Sequence, residues 1–200
     1  MKTDCTKINT DAAIIKLKQA LSVQRFAHSL VTAEKAQKIA EKYGLNGEKA
    51  YLAGLFHDCA KCFEYEKLRA IGEKMGLEES ELNNRKVLHA PVSAYVAKYE
   101  YGIDDEEIFS AIRWHTLGTL GMSDFDKVIF LADKVEPLTR ESSHIGFIEK
   151  SLEISLDEGM LQSYRQTIVS LAERRLPVCV RTIDVYNDFL SKCDARKVHA

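Results

Sequence analysis

Glu48-Lys49-Ala50-Tyr51-Leu52-Ala53-Gly54-Leu55-Phe56-His57-Asp58-Cys59-Ala60-Lys61-Cys62 reads as one strongly apolar helix with two ionisable residues, His57 and Asp58, midway along it. Consecutive helix positions lie about 100° apart, so both side chains can lean into one cleft. Ala50, Ala53, Gly54 and Ala60 are small enough to let neighbouring helices come close. Buried without partners, each polar group would cost roughly 1–3 kcal/mol. A divalent ion is an efficient partner, because it takes neutral imidazole nitrogen and ionised carboxylate together. The plain alternative is a hydrogen-bonded core or surface pair, and only the rest of the chain can decide between them.

Working outward, the same helical spacing recurs on both sides. Residues 11–21 carry Ile14, Leu17 and Leu21 at helix intervals, and residues 25–43 place Ala33, Ala36 and Ala40 on one face before Gly44. Residues 64–86 are more polar, with weak helices broken near Gly76. Residues 88–100 form a helix ending before Gly102, and Asp104 can cap another that runs to about His115. Asp124 opens a helix through Val135, which Pro137 ends. A long amphipathic segment covers 145–173, and Pro177 separates it from a last helix near 180–192. No stretch alternates with the strand period. The expected fold is all-α, a helical bundle with its metal site between helices. It forms one domain over 1–200, with a metal-binding core at about 25–140 and C-terminal helices at about 145–192.

The composition narrows the partners. A net charge of −2 over 200 residues gives no basic field for nucleic-acid polymers. No apolar run approaches the roughly 20 residues that span a bilayer, so no membrane partner is expected. The first residues lead into no signal-type apolar core, and cytoplasm is the expected location. Five scattered cysteines fit reduced thiols. Cys59-Ala60-Lys61-Cys62 spells a C-x-x-C, but within a helix and with no strand before it, so thioredoxin-like chemistry is set aside. The acidic runs Glu78–Glu81 and Asp104–Glu107 are read as solvated helix starts, and Trp114 as packing.

The His57-Asp58 pair does not stand alone. His28 sits on the preceding helix, His89 opens a later one, His115 closes another, and Asp133 lies in Phe130-Leu131-Ala132-Asp133, an acid in apolar surroundings. The remaining histidines, His144 and His199, are read as structural. Nitrogen and oxygen donors without thiolate exclude a thiolate-rich zinc or iron–sulfur site and allow Fe, Mn, Co, Ni or Zn. Lys61, three residues after Asp58, is read as a phosphate clamp on the same helix face. Arg25 and Arg140 are further candidates for polyphosphate, and the Thr116–Gly118 loop offers backbone N–H groups to a phosphate. Thr182, Tyr186 and Asn187 would reach a nucleoside only if the last helix folds back over the cleft.

The order His28 … His57-Asp58 … Asp133 resembles the HD superfamily of metal-dependent phosphohydrolases. Within it the chain is most similar to the YqeK-type symmetrical diadenosine tetraphosphate hydrolases. That resemblance rests on Arg25-Phe26-Ala27-His28, His57-Asp58-Cys59-Ala60-Lys61, Leu88-His89, Ala111 to Gly118 with Met122, Leu131 to Pro137 with Arg140, and Arg181 to Asn187. It implies two divalent ions, iron by preference, with His28, His57, Asp58 and Asp133 around one and Asp58, His89 and His115 around the other. It implies cleavage of diadenosine tetraphosphate and related dinucleoside polyphosphates to two ADP, with Asp58, Lys61 and Arg25 as catalytic candidates. A pair of ions about 3.5–4 Å apart suits in-line attack on phosphorus and brings a bound water to a pKa of roughly 7. Rival readings are a general HD nucleotidase acting on mononucleotides and a non-catalytic nucleotide-binding scaffold. The cyclic-dinucleotide branch lacks support, because its Gly-Tyr-Pro signature is missing. The long 145–173 segment offers a face for a homodimer.

Overall fold

The computed structural model describes residues 10–139 and 141–198, and among them there are eleven helices and no strand. They are α1 (Thr10–Ala20), α2 (Val23–Lys42), α3 (Gly47–Phe56), α4 (Tyr65–Lys74), α5 (Glu79–Leu82), α6 (Arg85–Tyr101), α7 (Glu106–Trp114), α8 (Asp124–Lys134), α9 (Ser142–Leu152), α10 (Leu156–Glu173) and α11 (Val180–Val198). The centre is built from α2, α3, α7 and α8, which pack on one another. Helix α6 lies against α7, α4 and α5 lie on α6, and α10 joins α8 to α9 and α11. No described helix is long and apolar enough to cross a membrane.

The closest helix pairing is set by a small residue. A Cβ added at Gly54 would sit 2.8 Å from Ala33 Cα and 3.1 Å from Thr32 O, so the backbones of α3 and α2 are nearly in contact. Ala36 and Ala40 on α2 and Ala50 and Ala53 on α3 are buried and continue this seam. Such closeness puts the end of α3 beside the start of α2, where His28 lies.

Three expectations are corrected. The apolar helix does not run through 48–62: α3 stops at Phe56, and residues 57–62 form turns. Cys59, Lys61 and Phe63 each donate to the carbonyl three residues back. Continuing the α-helix would require the Ala60 N–H to bond Phe56 O, but Ser93 Oγ of α6 takes that N–H at 3.1 Å. His57 and Asp58 therefore stand at a helix end, not midway, and Lys61 reaches the cleft from a turn, not along a helix face. The C-x-x-C lies in the same turn. Second, the cap of α7 is Asp105, one residue later than expected, accepting from the N–H groups of Glu107 and Ile108. Third, the 145–173 segment is two helices, because Ser155 caps α10 by accepting from Glu158 N. The single long face offered for a homodimer is thereby divided.

Candidate metal centre

Two helices end in the same way. His57 follows the last residue of α3 and its Nδ1 donates to Gly54 O at 2.6 Å; His115 follows the last residue of α7 and its Nδ1 donates to Ile112 O at 2.7 Å. Each ring satisfies a carbonyl left over at a helix C-terminus and turns its Nε2 inward. His28, from the second turn of α2, donates Nδ1 to Glu136 Oε2 at 2.9 Å. With Nδ1 carrying the hydrogen in all three rings, each Nε2 presents a lone pair to the interior. His57, Asp58, His28, His89 and His115 are all buried, as is Asp133 on the last turn of α8.

Asp58 divides the cluster. Its Oδ2 faces His57 Nε2 at 3.7 Å and His28 Nε2 at 3.9 Å, with Asp133 Oδ1 a further 3.3 Å from His28 Nε2. Its Oδ1 faces His89 Nε2 at 3.2 Å and His115 Nε2 at 3.6 Å. The nitrogens of each half also face each other, His28 to His57 at 3.1 Å and His89 to His115 at 3.3 Å. Donor atoms of His28, His57 and Asp58, and separately of Asp58, His89 and His115, lie within 4.8 Å of one another.

This donor set fits divalent ions. Asp58 Oδ1 is buried with no hydrogen-bond partner, and lone pairs aimed at lone pairs repel unless positive charge lies between them. The C-termini of α3, α7 and α8 all end at the cluster, and their dipoles add negative potential there. Burial pushes His57 and His89 down to about 4, so both are neutral ligands near pH 7. Burial likewise opposes charge on His28, yet its bonds to Asp133 and Glu136 outweigh this and raise it. The pull that favours a proton on His28 favours a cation in its place. Lys61 Nζ, 2.8 Å from His89 Nε2 and 3.8 Å from Asp58 Oδ1, already brings an ammonium to the second half.

Cations and hydroxyls ring the mouth. The cleft is lined by His28, Asp58, His89, His115 and Asp133 below, and by Arg25, Lys61, Lys86, Lys134, Thr116 and Thr139 above. Arg25 Nη1 reaches Asp58 Oδ2 at 3.3 Å. Burial lowers the pKa of Lys61, an effect that Asp58 partly offsets. Thr116 Oγ1 lies 3.3 Å from His89 Nε2.

All six expected ligands thus come together with Arg25, Lys61 and Thr116, while Gly118, Thr182, Tyr186 and Asn187 do not line the cleft. Gly118, at φ +68°, sits where a Cβ would be 2.1 Å from the Tyr164 hydroxyl; its smallness lets Tyr164 donate to Leu117 O at 2.7 Å. Thr182 is buried, Tyr186 packs against the apolar core and Asn187 is exposed, all on α11, which packs on α10 and not over the cleft. Arg140 lies outside the described residues. Lys86 and Thr139 were not among the expected site residues, and Lys134 and Glu136 stood in the Leu131 to Pro137 motif with no role assigned. Lys86 stands three residues before His89, one helical turn, a signal that was there to be read.

The HD domain family model matches residues 25–138. The chain is 36% identical over 186 residues to the symmetrical bis(5'-nucleosyl)-tetraphosphatase of Bacillus subtilis, covering 92% of this chain and 99% of that one. To the protein of the same name from Halalkalibacterium halodurans it is 34% identical over 184 residues, covering 92% and 98%. Among solved structures it is similar to a predicted HD superfamily hydrolase involved in NAD metabolism from Clostridium acetobutylicum. That likeness has a TM-score of 0.85 and 33% identity, covering 92% of this chain and 97% of that one.

Proposed function

This chain belongs to the HD domain family, and from that membership we propose that it hydrolyses diadenosine tetraphosphate and related dinucleoside polyphosphates symmetrically, releasing two ADP. The observation that carries the reading is Asp58, whose two oxygens each face a separate group of imidazoles. The substrate is supported by the names of the relatives, which match nearly end to end.

His28, His57, Asp58 and Asp133 would hold one divalent ion, and Asp58, His89 and His115 the other. When bound, two such ions supply Lewis acidity and a water acidic enough to act near neutral pH. The chain's own residues do the rest. Arg25, Lys61, Lys86 and Lys134 grip the polyphosphate and offset the charge that builds on the leaving nucleotide. Thr116 and Thr139 offer hydroxyl donors to phosphate oxygens. Water adds to one inner phosphorus, the bridging oxygen leaves with the other half, and both products are ADP.

Iron is the metal this reading favours. Imidazole and carboxylate suit Fe²⁺ as they suit Mn²⁺ or Zn²⁺, and the preference rests on the family likeness. We place the enzyme in the cytoplasm as a single domain over 1–200, acting on free nucleotides and not on nucleic acid. Product chromatography with Fe²⁺- or Mn²⁺-loaded protein tests the reaction. ADP alone is expected. ATP plus AMP would overturn the symmetrical cleavage, and phosphate released from nucleoside monophosphates without tetraphosphate turnover would favour a general nucleotidase.

A further inference from the structure

We propose that Glu136 is the positioning residue of the first metal site: its carboxylate fixes His28 as a ligand and ties it to the substrate-facing turn after α8. This rests on the two-ion reading above. Glu136 is fully buried just beyond the end of α8. Oε1 accepts from Leu138 N at 2.6 Å. Oε2 accepts from Thr139 N at 3.1 Å, Thr139 Oγ1 at 2.8 Å and His28 Nδ1 at 2.9 Å. Four donors use the accepting capacity of an ionised carboxylate.

The support is specific to one half of the site. His57 and His115 are oriented by neutral carbonyls of their own helices. His28 is oriented by a formal charge delivered from a different helix end. Asp133 and Glu136, three residues apart, hold the two nitrogens of the same ring, Asp133 Oδ1 at Nε2 and Glu136 Oε2 at Nδ1. A carboxylate on the outer nitrogen raises the donor strength of the inner one, and losing such a partner costs roughly 10–100-fold in metal affinity. The same oxygen holds Thr139, which lines the mouth, so the turn and the ligand move as a unit.

Glu136→Gln is the sharpest variant, because the amide can offer oxygen to only one side. With its oxygen toward His28 and Thr139, its NH₂ faces the Leu138 N–H, donor against donor. Mn²⁺ binding would be followed by equilibrium dialysis and by electron paramagnetic resonance, with helicity checked by circular dichroism. Wild type is expected to hold two ions with a spin-coupled spectrum. Glu136→Gln should bind one of the two roughly 10–100-fold more weakly, leaving an uncoupled signal where wild type is saturated. Should that variant not fold, Glu136→Asp keeps the charge but withdraws it by one methylene, and the same selective loss is expected. Wild-type affinities for both ions in the folded variant, or equal weakening of both, would overturn this role alone. A wild type that holds no Mn²⁺ would overturn the two-ion reading and this role together.

Discussion

Replacing Asp58 by alanine removes the carboxylate that both groups of imidazoles face, so both ions should be lost together. Turnover should fall by more than the roughly 10–100-fold that loss of an outer partner costs, with metal analysis showing fewer than one ion per chain. Near wild-type turnover would overturn the bridging role. His89→Ala should lower the stoichiometry from two ions to one, because His89 belongs to the second half only. Lys61→Ala should slow turnover while leaving the metal content near wild type, as read by the same metal analysis. The ligands were legible in the sequence because an acid or imidazole among alanines and leucines has few structural uses. Glu136 was not, since its partners are a turn two residues on and a histidine 108 residues away in the chain. No spacing in the sequence announces that pairing.

Helix ends matter more here than helix faces. Asp105 caps α7, whose other end presents His115, and Lys49 of α3 pairs with it at 2.8 Å. Asp105→Ala should cost about 1 kcal/mol of stability, measured by urea unfolding. Burial opposes the charge on Asp105, but Lys49 and the Ile108 and Glu107 N–H groups outweigh it and lower its pKa. A lowered carboxylate pKa means that the contribution is complete above the unfolded value of about 3.9. It is lost as the pH falls through the folded value. The difference between wild type and Asp105→Ala should therefore be full at neutral pH and shrink below about pH 3 to 4. Gly54→Ala should cost about 1–3 kcal/mol, because the new methyl would meet backbone. The small-residue seam of α2 and α3 was readable in the sequence, but the end of α3 was not: apolar spacing cannot distinguish a helix from turns when the competing bond comes from Ser93 on another helix.

For the whole molecule, metal should act as a structural component as well as a reagent. Mn²⁺ at about 100 times the dissociation constant of a site adds about 2.7 kcal/mol, a rise in Tm on the order of 5–10 °C for a chain of this size. Differential scanning calorimetry with and without chelator reads this, and an unchanged Tm would count against a buried site. The all-helical class and the central helices were visible from periodicity alone. Placing α11 was beyond it, since whether a last helix covers the cleft or packs on α10 depends on which surfaces meet in space. The helix-end histidines have one more consequence, for assembly. His57 and His115 are oriented by acceptors three residues away, while His28 depends on a partner 108 residues away. Closing the longer loop costs on the order of 3 kcal/mol more chain entropy. Two ligands thus find their orienting partners within their own helices, and the His28–Glu136 contact is a long-range closure that carries the larger entropic cost.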